Sequence, residues 1–372
     1  YLISIVVVAI LGGLLFGYDT AVISGAEKGL QAFFLGATDF VYTDAMHGFT
    51  SSSALIGCII GSAISGFMAS NLGRKKSLIM AGLFFFLSAL GSYYPEFLFF
   101  DYGQPSFSLL VVFNLYRVLG GIGVGLASAI CPMYIAEVAP SNIRGTLVSW
   151  NQFAIIFGML VVYFVNYTIA LQGDASWLHT IGWRWMFASE IIPAVLFLFF
   201  LMFVPETPRY LVMRGETEKA LAVLSNLMKR DEAERELSDI RESFKEKAPS
   251  MKPYFQFMGT WLLIFLGVFG LLSVLGNTSA LEIALLVSFC VALLFPIRSF
   301  GILIIFVGVM LSAFQQFVGI NVVLYYAPEI FKTMGAATDA ALLQQIIVGA
   351  VNLSFTIFEF IGGIITGSVA IA

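Results

Sequence analysis

Long apolar stretches recur along this chain, each about as long as a helix must be to cross a bilayer, and they leave it one class of fold. A hydrocarbon core takes ~20 apolar residues in a helix. Such runs lie near residues 2–25, 50–70, 77–94, 108–132, 146–171, 186–204, 259–276, 280–297, 301–327 and 341–368, about ten candidate spans. With 59% of the 372 residues hydrophobic and 11% charged, the apolar surface exceeds what a soluble domain can bury. A transmembrane β-barrel needs alternating strands of ~10 residues, whereas these runs are continuous and rich in Leu, Ile, Phe and Gly. The expectation is an all-α, multi-span membrane protein. The first run lacks a basic leader and opens a train of further spans, so it reads as a first helix rather than a signal peptide.

The polar segments divide the chain. Residues 1–204 hold six spans and read as a six-helix bundle. Residues 205–257 are charged and helix-favouring, punctuated by Pro205, Pro208, Pro249 and Pro253, and read as a cytoplasmic linker of amphipathic helices. Residues 258–298 form an extra hydrophobic hairpin, and residues 299–372 begin a second bundle. Lys and Arg concentrate in alternate loops, at Arg74, Lys75, Lys76, Arg144, Arg209, Arg214 and Arg298. By the positive-inside rule those loops are cytoplasmic and so is the N-terminus. A net charge of −4, with the basic residues of the linker interleaved with acidic ones, gives no nucleic-acid signal.

Cys58, Cys131 and Cys290 sit in apolar runs without metal-ligand spacing, so no metal site, disulfide or cofactor is expected. His47 and His179 fall in outward loops and read as unpartnered surface residues. Glycines cluster inside spans, at Gly57, Gly61 and Gly66 and at Gly120, Gly121, Gly123 and Gly125. They indicate close helix packing; no strand precedes the second group, so it is no dinucleotide loop.

Charges inside spans cost at least ~2.5 kcal/mol each, so each needs a partner or a wet cavity. Asp19, Arg117 and Glu190 lie at matching depths, about 9 to 12 Å from the outer ends of their runs at 1.5 Å per residue. They can form a pair or a triad. Such a carboxylate can load and release a proton as water access changes, or the group can be a static ion pair that fixes helix register. The neutral polar residues are Gln152, Gln315, Gln316, Asn321 and Asn352. On a straight helix Gln316 and Asn321 diverge by about 140°, and a break near Gly319 would bring them to one side. Discontinuous helices at mid-membrane are where transporters hold substrate; amides can also serve as interhelical glue.

Several stretches together resemble the sugar-porter branch of the major facilitator superfamily. They are Gly12 through Thr20, Leu72-Gly73-Arg74-Lys75-Lys76, Arg117 through Gly125, Glu137 through Gly145, Trp150-Asn151-Gln152, Pro205-Glu206-Thr207-Pro208-Arg209, and Gln315-Gln316 through Asn321 to Tyr325-Tyr326. The resemblance implies a major facilitator fold and secondary active transport of a monosaccharide, D-xylose or a related pentose or hexose, by proton symport with alternating access. It implies that Gln152, Gln315, Gln316 and Asn321 bind sugar hydroxyls and that Phe16 and Tyr325 line or gate the cavity; Asn352 belongs to the same neutral polar set, and Tyr326, with Tyr325 just outward of the expected break at Gly319, is placed to close over it. Asp19 resembles the proton-coupling carboxylate, Arg117 its partner and Glu190 a second carboxylate. Arg74, Glu137, Arg144, Glu206 and Arg209 resemble a cytoplasmic charge network that ties the two bundles together. A bacterial inner-membrane location and a monomer when complete are expected.

Three departures from that pattern stand out. Met159 occupies a place, two turns beyond Gln152, where a second glutamine is expected. Residues 259–294 have no counterpart before the seventh span. The family continues past the eighth span with a basic loop and four more helices, whereas this chain ends at Ala372, so a part of a transporter with an incomplete second bundle is expected. A proton-independent facilitator and a non-transporting sugar sensor are the alternative functions. An enzyme is not expected, because no nucleophile and base lie near the amides.

Overall fold

The structure, a computed structural model, describes residues 1–97, 100–141, 143–245, 308, 310–311, 313–314, 317–335 and 338–371. The hairpin expected at 258–298 lies outside the described residues, as do Gln315 and Gln316. Two units divide the chain, one made of Tyr1–Phe244 with Val322–Ala372, the other of Lys245–Asn321.

The described residues are helical and contain no strand. Six membrane-length elements come first: α1 (Leu2–Leu35), α2 (Asp44–Leu72), α3 (Arg74–Tyr93), α4 (Phe107–Val138), α5 (Arg144–Ala170) and α6 (Leu178–Leu201). Short linker helices follow, α7 (Pro208–Met213), α8 (Thr217–Leu227) and α9 (Arg230–Lys245). Last come α10 (Ile320–Thr333) and α11 (Thr338–Ile371). Seven of the described helices are long and apolar enough to cross a membrane, α1 to α6 and the Ala341–Phe358 part of α11.

Two helices run beyond their apolar stretches. α1 continues to Leu35 because no breaker intervenes before Gly36, whose N–H donates to the Phe33 carbonyl at 3.2 Å while the N–H of Ala37 donates to the Phe34 carbonyl at 3.2 Å. α2 starts at Asp44, where the Thr43 hydroxyl accepts a 3.3 Å bond from the Met46 N–H and satisfies one of the free first-turn donors. Along the seam of α2 and α4 the glycines act by what they lack: a Cβ at Gly57 or Gly61 would strike the α4 backbone, and one at Gly121 or Gly125 the α2 backbone. Backbones in that contact gain dispersion that larger residues would forbid.

α6 is interrupted. It starts in a π-helical turn, Leu178–Gly182, continues as Trp183–Ala188, and resumes as Ile191–Leu201. Pro193 has no N–H to give the Ser189 carbonyl, and its ring crowds that oxygen, so the helix loosens over Ser189 and Glu190. In the second unit the backbone is helical at Phe317, turns at Val318 and Gly319, and enters α10 at Ile320. Gly319 carries φ of 78°, where a side chain would be strained.

Two apolar clusters fill the first unit. One includes Leu15, Phe85, Leu126, Tyr134 and Phe197. The other holds Tyr18, Phe34, Phe113, Trp183 and Phe187 together with Leu324, Tyr325 and Ile346 from α10 and α11. A small third core, with Leu211, Leu224 and Leu237, joins the linker helices.

Candidate functional site

Asp19, Arg117 and Glu190 meet at the junction of the two large clusters. Their exposures are 1%, 2% and 0%, so all three are withdrawn from solvent. Arg117 Nη1 donates to Asp19 Oδ1 at 2.6 Å, and Nη2 donates to the Asp19 carbonyl at 3.3 Å. The guanidinium also lies over the Phe187 ring, 5.2 Å from its centroid. Glu190, set in the interruption of α6, is within electrostatic reach of both Asp19 and Arg117. Gly120 of α4 packs closely against α3 beside the pair: a Cβ there would strike the Ser88 side chain, while Asp19 Oδ1 would lie at an ordinary contact distance of 3.5 Å.

Hydrogen-bonding capacity is left over at this spot. Asp19 Oδ2, both carboxyl oxygens of Glu190 and Arg117 Nε are buried and take no hydrogen bond from a neighbouring N–H or hydroxyl donor, while the Asp19 and Glu190 carboxyl groups lie within hydrogen-bond reach of each other, so a proton on one would bridge them. Two carboxyl groups face a single guanidinium. Tyr18, one residue before Asp19, shares a 2.7 Å bond with Ser189 Oγ beside Glu190. Tyr325 of α10 is buried and lies within electrostatic reach of Arg117 and Asp19.

The polar residues expected to bind sugar are distributed along helices rather than gathered. Gln152 is exposed on α5, while its neighbour Asn151 is the buried one and packs against Gly13 of α1. At ~100° per residue, Gln152, Ile156, Met159 and Tyr163 share one face of α5. That face looks toward α11, since a Cβ on Gly349 would meet the Tyr163 ring at 2.8 Å. Asn352, half-buried, lies one turn further along α11, and Phe16 and Tyr326 are also half-buried. Asn321 sits in the first turn of α10.

At the other end of the bundle a charge network gathers around the start of α3. Arg74 Nη2 donates to Glu137 at 2.7 Å, and its Nη1 to the Ala69 carbonyl at 3.2 Å. The Glu206 carboxylate accepts from the N–H groups of Arg74 at 3.0 Å and Thr207 at 2.9 Å, and from Lys75. It therefore fills the role of a helix cap at the positive end of α3. Burial pushes the Glu206 carboxyl up from its ordinary value, while those N–H bonds and the Arg74 charge pull it back. Gly73 has φ of 94° and would direct any Cβ into the Glu206 carboxyl group. Arg144 pairs instead with Glu236 of α9 at 3.3 Å, and Arg209 lies over the Phe244 ring.

Several participants escaped the sequence reading. His47, expected on the surface without a partner, is 5% exposed and bonded to Glu27 at 2.8 Å. The physical reason is that α2 begins ahead of its apolar run, which turns an apparent loop into a buried first turn. Arg184, placed in an outer loop, is buried against Glu96, with a 2.7 Å bond from Nη1 to Oε2 and a second from Nη2 to Oε1. Glu236, Tyr134 and Tyr210 complete the linker contacts, the two tyrosines donating at 2.7 Å to the Pro205 carbonyl and at 3.1 Å to the Asn71 carbonyl. A polar flank at the end of an apolar run gives no local sign of which side chains face inward.

A bundle of membrane-length helices around a buried, incompletely paired charge cluster is the architecture of a membrane transporter. The family described as Sugar (and other) transporter matches residues 5–284 and 289–362, and this chain belongs to that family. It is 48% identical over 366 residues to the D-xylose-proton symporter of Escherichia coli strain K12, covering 96% of this chain and 66% of that protein. The arabinose-proton symporter of Bacillus subtilis is 34% identical, with 96% of this chain and 64% of that protein covered. The glucose facilitated diffusion protein of Zymomonas mobilis is also 34% identical, with 94% and 64% covered. The chain thus spans slightly under two thirds of the length of these relatives. Among solved structures, the proton:xylose symporter XylE, of the major facilitator superfamily, bound to 6-bromo-6-deoxy-D-glucose superposes with a TM-score of 0.77 at 46% identity, covering 98% of this chain and 69% of that one. XylE from E. coli in a partially occluded inward-open conformation gives 0.76 at 45% identity, covering 98% and 73%. The fold is therefore the all-α major facilitator fold of a multi-pass membrane protein.

Proposed function

We propose that this chain carries the proton-coupling half of a monosaccharide:proton symporter, in which Asp19 exchanges a proton and Arg117 and Glu190 set when it does so. The observation that carries the reading is the surplus of acceptors around Arg117. A static ion pair saturates its partners, since each unpaired buried charge costs several kcal/mol. Here one guanidinium faces two carboxyl groups, and three of their oxygens take no hydrogen bond from a neighbouring N–H or hydroxyl donor although the two carboxyl groups are within hydrogen-bond reach of each other. Two carboxyls balanced by one cation form a site that can take up a single proton and, when Arg117 shifts, release it.

Gln152 and Asn352 are the candidate sugar-binding residues of the first unit, with Phe16, Tyr325 and Tyr326 beside them. The family resemblance assigns hydroxyl binding to Gln315, Gln316 and Asn321 of the second unit as well. Xylose and arabinose, named for two symporters among the relatives, indicate a pentose as the first substrate to test. Basic residues at Arg74, Lys75, Lys76, Arg144 and Arg209 favour a cytoplasmic location for that face, and with it for the N-terminus, in a bacterial inner membrane. A membrane potential adds ~2.3 kcal/mol per proton per 100 mV, enough to drive accumulation about fiftyfold.

The test is Asp19→Asn in the complete gene product. The amide keeps a hydrogen bond to Arg117 and cannot carry a proton, so uphill xylose uptake is lost while exchange of labelled for unlabelled sugar persists. Uphill uptake that survives the change removes Asp19 from the mechanism.

A further inference from the structure

We propose that Glu27, His47 and Tyr42 form a second proton-binding site at the end of the bundle opposite the Glu206 network, and that its occupancy favours the seating of α10 on α1. Glu27 lies eight residues beyond Asp19 on α1, about 12 Å along the helix axis. His47 Nε2 meets Glu27 Oε1 at 2.8 Å, and its Nδ1 meets the Tyr42 hydroxyl at 3.1 Å. All three side chains are buried, at 6%, 5% and 6% exposure.

The charge around the cluster points to a proton that it can take up. Among the described residues the ion-pair partner of Glu27 is His47, because the neighbouring Lys28 is ion-paired with Glu329 at 2.9 Å. A neutral imidazole therefore leaves a buried carboxylate without a countercharge. Thr50 Oγ1, on the next turn of α2 and wholly buried, lies within hydrogen-bond reach of the Tyr42 hydroxyl and extends the chain of polar groups.

One proton supplies the charge and turns the chain of hydrogen bonds around. With neutral His47, Nε2–H donates to Glu27, the Tyr42 O–H donates to Nδ1, and the Tyr42 oxygen accepts from the Thr50 hydroxyl. With protonated His47, both ring nitrogens donate; the Tyr42 oxygen accepts from Nδ1–H and its own hydroxyl turns to Thr50 Oγ1. The proton comes from the outer solution, and imidazole is the side chain that titrates between pH 5 and 8.

The cluster is joined to α10 on two sides. Tyr326 lies within electrostatic reach of Tyr42, and Lys28 bonds Glu329. Tyr42 also packs in one apolar cluster with Leu324 and Tyr325. The charged and titratable groups around His47 are thus Glu27 and Lys28 from α1, Tyr42 from the connecting segment, Asp44 from the first turn of α2, and Tyr326 and Glu329 from α10. A charge gained at His47 tightens the contact of α1 with α2 and fixes the Tyr42 ring on which α10 rests.

The experiment needs no transport, so its outcome is independent of the symport reading. The chain has two histidines, and His179→Gln leaves His47 as a single imidazole to follow by nitrogen-15 NMR in lipid nanodiscs. Spin labels at Leu35 and Thr333 report the separation of α1 and α10. The expected result is an imidazole that takes up a proton as the pH is lowered, an uptake displaced to lower pH in Glu27→Gln, and a short-distance population that grows as that proton is taken up. The same behaviour persists in Asp19→Asn. An imidazole that stays neutral to pH 5, a label distance that ignores pH, or a response abolished by Asp19→Asn overturns the proposal.

Discussion

Arg117 decides how the buried centre is held together, because it is the cation that faces two carboxyl groups there. Replacing it with Met leaves both carboxyls without a countercharge in a dry site, where breaking a buried pair costs about 3–5 kcal/mol. Arg117→Met is therefore expected to lower the thermal midpoint sharply in detergent, and Asp19→Asn added to it should recover much of the loss. If the double variant is no more stable than the single one, the Asp19 contact is not what holds Arg117. On the face of α5 proposed to bind sugar, Gln152→Ala removes an exposed amide. A lost hydrogen bond to a sugar hydroxyl weakens binding by roughly 1–3 kcal/mol, readable by calorimetry with xylose; unchanged affinity moves the sugar elsewhere. The Asp19, Arg117 and Glu190 centre was legible in the sequence because charges inside apolar runs are costly and therefore rare. Glu27, His47, Glu96 and Arg184 were not, since they lie on polar flanks where burial depends on helices from distant parts of the chain.

At the scale of elements, helix starts and breaks place the functional groups. The interruption of α6 that presents Glu190 follows from Pro193, a cause present in the sequence yet silent about which carbonyl it frees until the helix register is known. The turn at Gly319 follows an anticipated break, expected there because Gln316 and Asn321 would otherwise face apart. The start of α3 is more demanding. Gly73 combines φ of 94° with a Cβ position already occupied by the Glu206 carboxyl. Strained backbone of that kind costs about 1–3 kcal/mol for a residue with a side chain, and the displaced Glu206 would leave the N–H groups of Arg74 and Lys75 unfilled. Gly73→Ala should thus destabilise the protein by more than the backbone cost alone. Adding Glu206→Gly, which clears the space but keeps the strain and the empty cap, should give little recovery; full recovery would show that crowding, not capping, dominates.

For the whole molecule the question is what joins the linker helices to the membrane bundle. Two ion pairs lie at this end of the bundle, of which Arg144 with Glu236 reaches the linker, and burial ranks them. Arg74 and Glu137 are 10% and 11% exposed, whereas Arg144 and Glu236 are 40% and 30% exposed. The exposed pair is worth at most about 1 kcal/mol after screening and the entropy of two long side chains. The buried pair binds α3 to α4 within the bundle, and losing one partner strands the other at a cost of about 3–5 kcal/mol. The linker is held chiefly by other means, the Tyr134 and Tyr210 hydroxyl bonds and the Glu206 cap. A double-mutant cycle on Arg144→Gln and Glu236→Gln should therefore return a coupling under about 1 kcal/mol that vanishes in molar salt. Arg74→Gln should cost several times more and be insensitive to salt. A large, salt-resistant coupling between Arg144 and Glu236 would mean that α9, rather than the tyrosines and Glu206, fastens the linker.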